Sequence, residues 1–293
     1  MADPAPLPLH DPIVPAGAPT DGVGLCLSGG GYRAMLFHVG ALWRLMDAGK
    51  LLDVTRVSSV SGGSITAGVL ALAWDELAAG GMAAFQARVV EPLRAMARVT
   101  IDERSVLGGL LLPGSVGDYI ARAYARHLFG EHTLQSLPET PHVIINATNL
   151  ETGSLFRFSR REARDWRVGR IGAPTFRLAD AVAASSAFPP MLSPFVLDVT
   201  PDDFDRPAPG EIADPAFRNE ISLTDGGVYD NLGLQQVWGR CRTVLVSDAG
   251  GHIADDPAPP GDWARQAKRV LEITDQQVRN LRMIQVVGSL ERK

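Results

Sequence analysis

A chain of 293 residues, 45% hydrophobic and 21% charged, can bury one large core or two smaller ones. Its net charge of -5, without any long basic run, argues against nucleic acid as the main partner. The two cysteines, Cys26 and Cys241, stand apart in apolar segments, so they read as core thiols of a reducing compartment and not as a metal pair.

Residues 1–21 carry six prolines and no periodic pattern, which predicts a flexible or extended arm. The opening Met1-Ala2-Asp3-Pro4 lacks the basic and apolar regions of a signal peptide, and the apolar run after Ser64 stops at Asp75-Glu76, short of a membrane span. The expectation is a cytoplasmic protein. Val23 to Leu27 predicts a short buried strand. Ser28-Gly29-Gly30-Gly31 follows, then a helix from about Tyr32 to Ala48, whose apolar positions Leu36, Val39, Leu42, Trp43 and Met46 recur at helical spacing. Val54 to Val60 reads as a second strand and Gly62 to Ala79 as a second helix. This β-α-β-α order predicts a parallel sheet covered on both faces.

Over 80–138 the pattern changes to amphipathic helical patches, Phe85 to Ala97 and Val116 to Leu128, around the apolar loop Val106 to Pro113. We expect a mainly helical insertion packed on the main sheet; a lid or lipid-facing surface is the rival reading of its three consecutive leucines. His142 to Asn149 and Leu155 to Ser159 predict a hairpin turned at Glu151-Thr152-Gly153-Ser154. Leu178 to Ala187 is a small-residue helix stopped by Phe188-Pro189-Pro190. After an acidic, proline-rich loop (200–218), Ile221 to Thr224 is a strand ending at Asp225-Gly226-Gly227. Thr243 to Val246 is another strand, and a last helix runs from Trp263 towards Val287. Residues 22–293 thus read as one domain.

Three loops concentrate the chemistry. Ser61 stands at a strand-to-helix joint, Ser59-Val60-Ser61-Gly62-Gly63, close to the G-x-S-x-G elbow that pushes a serine hydroxyl out of a sheet. Gly29, Gly30 and Gly31 open the first helix with unobstructed N–H groups. They fit either a dinucleotide cradle, through Gly29-x-Gly31-x-x-Ala34, or an oxyanion hole. The cradle also wants an acidic residue at the end of the second strand, where this chain has serines. The oxyanion reading uses Ser61 as well. A serine hydroxyl needs a base. Asp225 is the best candidate, and burial would have to raise its pKa for it to act at neutral pH. A Ser61, Asp225 and His252 triad is the rival, since His252 also follows a strand. Arg33, beside the glycines, reads equally as a surface charge or as a tie to a carboxylate or substrate phosphate. No histidine pair has metal-ligand spacing.

Together these motifs resemble the patatin-like phospholipase family, which pairs a G-G-G-x-R/K loop with a G-x-S-x-G elbow and a distal D-G-G/A. The chain matches at Gly29-Gly30-Gly31-Tyr32-Arg33 and at Asp225-Gly226-Gly227, and nearly matches from Ser59 to Gly63. Ala183-Ala184-Ser185-Ser186-Ala187-Phe188-Pro189 also looks like the family's small-residue helix. The motifs span positions 25 to 234 in family order, and similarity is weakest over 80–138 and after 250. Ser28 stands where an acidic residue often precedes the glycines, and Ser59 replaces the elbow's first glycine. The resemblance implies a three-layer α/β/α fold with a central, mostly parallel sheet. It implies a Ser61–Asp225 dyad, which demotes His252, an oxyanion hole at Gly29 to Gly31, and a supporting Arg33. It further implies lipid acyl-ester hydrolysis without cofactor or metal, and transient contact with a membrane surface. The alternative from another class is a catalytically silent lipid- or nucleotide-binding module on the same scaffold.

Overall fold

The computed structural model describes residues 18–99, 116–251 and 253–290. His252, the apolar loop Val106 to Pro113 and most of the proline-rich arm lie outside the described residues. The first four elements follow the predicted order: β1 (Thr20–Leu27), α1 (Gly31–Asp47), β2 (Val54–Val60) and α2 (Gly62–Phe85), with a kink at Gly81. α3 (Glu91–Ala97) and α4 (Val116–Tyr124) come next, then β3 (His142–Asn149), β4 (Leu155–Phe158), β5 (Glu162–Asp165), β6 (Gly169–Gly172) and α5 (Leu178–Ser185). β7 (Phe195–Asp198), β8 (Glu220–Asp225), α6 (Gly227–Asp230), β9 (Cys241–Ser247) and α7 (Trp263–Leu290) complete the described chain.

Among the described residues nine strands form one mixed sheet. Its centre, β3-β2-β1-β9, is parallel, as the β-α-β-α pattern requires, and β4, β5 and β6 extend it antiparallel. β1 shows how both faces are filled. Leu25 and Leu27 join the larger core, with Met35, Leu42 and Ile65 of the helices. Cys26, pointing the other way, packs with Leu232, Leu234, Val237 and Cys241. Met283 and Val286 of α7 cover that second cluster, giving the α/β/α layering. Both cysteines are free and buried there.

The helices on either side of residues 100–115 belong to the main core: Phe85, Val89, Leu93, Ile120, Tyr124 and Phe129 are all buried in it. The helical stretch Gly62–Ala97 has the length and composition of a membrane span, but Gly62 to Ala71 are buried inside the protein. The sequence did not foretell β5, β6 or β7. β5 reads Glu-Ala-Arg-Asp, with one apolar side chain in four, and its Asp165 is buried because Asn149 Nδ2 and Thr152 Oγ1 donate to it at 2.9 and 2.7 Å. No alternation of apolar residues announces such a strand.

One feature of register positions the site. β2 runs beside β3 as far as the Val60–Asn146 pair, and β4 holds the other edge of β3, pairing Ala147 with Phe156. β8 enters antiparallel on the edge that β2 leaves, pairing Asp225 with Ala147, one residue on. The C-terminal ends of β2 and β8 therefore meet head to head.

Candidate active site at the carboxyl edge of the sheet

Ser61 is the single residue between β2 and α2, at φ 52° and ψ −123°. Such a backbone costs a non-glycine residue roughly 1–3 kcal/mol and persists only where its surroundings hold it. The Ser61 N–H donates to Ser185 Oγ at 2.9 Å, and Ser185 Oγ donates to the Asn146 carbonyl at 2.6 Å. Ser64 Oγ lies 2.9 Å from Ser185 Oγ and 3.0 Å from Ser59 Oγ. Ser59, in the place of the elbow's first glycine, donates to the Ile144 carbonyl at 3.1 Å and so ties β2 to β3. The substitution adds a hydrogen bond beneath the elbow.

The glycine loop lies directly against this elbow. A Cβ on Gly62 would fall 2.8 Å from the Gly31 carbonyl carbon, and one on Gly63 would fall 2.7 Å from the Ser28 carbonyl oxygen. Gly30 itself sits at φ 136°, open to glycine alone. The expected row of three free amides needs correction. Gly29 N–H donates to the Asn231 carbonyl at 3.0 Å and to Asn231 Oδ1 at 3.1 Å, so Gly29 anchors the loop and its amide is taken. The N–H groups of Gly30 and Gly31 donate to no acceptor among the described residues, and both residues line a cavity together with Ser61.

Ser28 explains why the loop holds its course without an acidic residue before it. Its N–H donates to the Ser247 carbonyl at 3.1 Å, and its Oγ accepts the Ala249 N–H at 2.8 Å. Its carbonyl lies 2.8 Å from His38 Nε2, and because a carbonyl only accepts, Nε2 carries the proton. His38 Nδ1 then accepts from Ser247 Oγ at 2.8 Å. Burial pushes the His38 pKa below the usual histidine value, against the pull of the Ser28 carbonyl and the Asp248 charge. His38, inside α1, thus braces the loop.

Asp225 is 3% exposed. Its N–H donates to the Ala187 carbonyl at 2.9 Å, and its carbonyl accepts Thr148 Oγ1–H at 2.9 Å. Gly227 N–H donates to Oδ1 at 2.7 Å, which leaves Oδ2, buried and with no closed hydrogen bond among the described residues, as the oxygen available to Ser61. Burial pushes the carboxyl up to about 7; the Gly227 N–H and the Ser61 hydroxyl pull it down, and the Asp275 charge adds to the rise. A carboxylate with that pKa is a usable base at neutral pH.

Ser61, Gly30, Gly31 and Asp225 open into one cavity of about 550 Å³, walled by Ile65, Ile120, Tyr124, Met191, Leu192, Val228, Leu271 and Val278. Such a volume and such walls suit an apolar chain. Burial pushes the Tyr124 phenol up to about 12, while the Ser186 hydroxyl acts on it in the opposite sense. Arg33 is exposed and forms no ion pair with the described residues. It lines a second, more polar recess of about 300 Å³ that shares Gly30, Asn231 and Asp275 with this cavity and is also lined by Arg269, Glu272 and Arg279. No three His, Cys, Asp or Glu side chains gather as metal ligands among the described residues. Residues the sequence reading missed are Ser185, Asn231, Tyr124 and Asp275. Ser185 had a signal, since it sits inside the small-residue motif Ala183 to Pro189.

A model of the family described as patatin-like phospholipase matches residues 25–238. No curated protein matches the sequence. Among solved structures the chain is similar to human GIVD cytosolic phospholipase A2, at 16% identity over 76% of this chain and 41% of that one, with a TM-score of 0.43. It is also similar to VipD from Legionella pneumophila, at 19% identity over 72% of this chain and 46% of that one, with a TM-score of 0.35. The chain spans less than half the length of either.

Proposed function

The chain belongs to the patatin-like phospholipase family, and on that premise we propose that it is a serine acyl hydrolase that cleaves fatty-acyl esters of phospholipids through a Ser61–Asp225 dyad. The observation that carries this reading is the head-to-head meeting of β2 and β8, which sets a strained serine and a buried carboxyl with a pKa of about 7 in one apolar cavity.

In this reading the acyl chain lies along the apolar walls and its ester carbonyl sits over Ser61. Asp225 takes the hydroxyl proton as Ser61 Oγ attacks, and the Gly30 and Gly31 N–H groups receive the negative oxygen that forms. The proton then passes from Asp225 to the departing alcohol, leaving the acyl group on Ser61. Water, deprotonated by Asp225, attacks the acyl carbonyl; the Ser61 Oγ–acyl bond breaks, Asp225 returns the proton to Ser61 Oγ, and the fatty acid leaves. Arg33 and Arg269, which line the adjoining polar recess with Gly30, would meet the head-group phosphate. Contact with the membrane surface would be transient, made at the mouth of the cavity, where Phe188, Met191 and Val228 are exposed.

A fluorophosphonate probe tests the reading. It should attach to one serine, and peptide mass spectrometry should place it on Ser61; protein left unlabelled, or labelled elsewhere, would contradict the dyad and favour a silent binding module.

A further inference from the structure

α7 begins beyond the residues matched by the family model, yet it forms one wall of the cavity through Leu271, Thr274, Asp275 and Val278. Asp275 is the charged member of that wall. It accepts Asn231 Nδ2–H on its Oδ2 at 3.3 Å, while Asn231 Oδ1 accepts the Gly29 N–H at 3.1 Å. An amide side chain offers a donor at one end and an acceptor at the other, and flipping exchanges them. A carboxylate only accepts. Asp275 therefore admits the one orientation of Asn231 that turns an oxygen to Gly29, and Gly29 sets the course of Gly30 and Gly31.

Asp275 also lines the same cavity as Asp225, and no lysine or arginine lines it between them. Like charges in a low-dielectric site raise each other's pKa, and the Asp275 charge does push Asp225 upward. The charged groups facing Asp275 are few. Burial raises the Asp275 pKa above the usual carboxylate value; Arg279, one turn along α7, and the Asn231 amide pull it back, but the Arg279 guanidinium is itself held by Asp248 past the end of β9 at 2.7 Å. Glu272 and Arg269 of α7 and Arg33 of α1 share the polar recess. Asp225 at the end of β8 is the acid across the cavity, and Tyr124 of α4 faces Asp225 in turn.

We propose that Asp275 is a positioning residue for the reaction, locking the Asn231 amide onto the glycine loop and placing a second negative charge in the cavity that the Asp225 carboxyl lines. The inference rests on the acyl-hydrolase reading above and extends it to a helix outside the family-matched residues.

The test is the pH profile of kcat/KM on a soluble fluorogenic acyl ester, for the full chain and for Asp275→Asn and Asp275→Ala, each checked by thermal melting. Asp275→Asn removes the charge but leaves an oxygen for Asn231. Its acid limb should move down by on the order of half a pH unit, with the plateau kcat within about threefold of wild type. Asp275→Ala removes both, and its plateau kcat should fall on the order of tenfold while KM changes less. An Asp275→Asn acid limb that superimposes on wild type, or an Asp275→Ala variant with the full plateau rate, overturns the proposal. Wild-type protein that neither hydrolyses the ester nor takes fluorophosphonate at Ser61 overturns the acyl-hydrolase reading and this inference with it. Labelled, active wild type beside an unshifted Asp275→Asn overturns this inference alone.

Discussion

The Ser61 N–H donates to the Ser185 hydroxyl at 2.9 Å, fastening the strained turn after β2 to a helix 124 residues further along the chain. Ser185 also donates to the Asn146 carbonyl, so one hydroxyl joins β3, α5 and the elbow. Ser185→Ala should lower stability by about 1–3 kcal/mol, the cost of orphaning a buried donor and acceptor. It should lower ester hydrolysis as well, because Ser61 loses the bond that holds its positive φ. Chemical denaturation and a kinetic assay of the same preparation check both effects.

Asp225 gives the protein a pH signature. If its carboxylate is the base, kcat/KM should fall roughly tenfold per pH unit below about 7. Its folded pKa is raised above the ordinary 3.8, so the folded state holds the proton more tightly than the unfolded chain does. That contribution to stability is complete below pH 3.8 and is lost as pH rises to about 7. Asp225→Asn, a mimic of the protonated acid, should be inactive yet melt higher than wild type. The increment should grow between pH 4 and 7 and level off above, as melting curves across that range would record.

Gly63 has no room for a side chain. With the Ser28 carbonyl oxygen 2.7 Å from the position of a Cβ, Gly63→Ala must push the elbow off the glycine loop. Overpacking of this kind costs about 1–3 kcal/mol, and the displacement should cut kcat on the order of a hundredfold. Matched melting and activity measurements would contradict this account if the variant kept wild-type turnover.

His252 separates dyad from triad. Asp225 is buried with a pKa of about 7 and needs no second base, so His252→Ala should keep activity within about threefold of wild type. A loss on the order of a thousandfold would make histidine the base and Asp225 its orienting partner.

Much of this site was legible in the sequence. The apolar run ending at Val60, the glycines that open α1 and the two that follow Ser61 are local patterns, and local patterns set the elbow. The parallel centre of the sheet followed from β-α-β-α order. The pairing of Asp225 with Ala147 is not local: it depends on where β2 stops along β3, and nothing between residues 150 and 220 announces it. Gly29 was misjudged for the same reason, since its amide is taken by Asn231, 202 residues away. Asp275 left no trace at all. An aspartate on a polar helix face looks the same whether it meets water or the wall of a cavity.

The most direct measurement is fatty-acid release from phospholipid vesicles by wild type, Ser61→Ala and Asp225→Asn, with melting curves confirming that all three are folded. The account predicts release by wild type and none above background by either variant. Release by folded Ser61→Ala at the wild-type rate would contradict it.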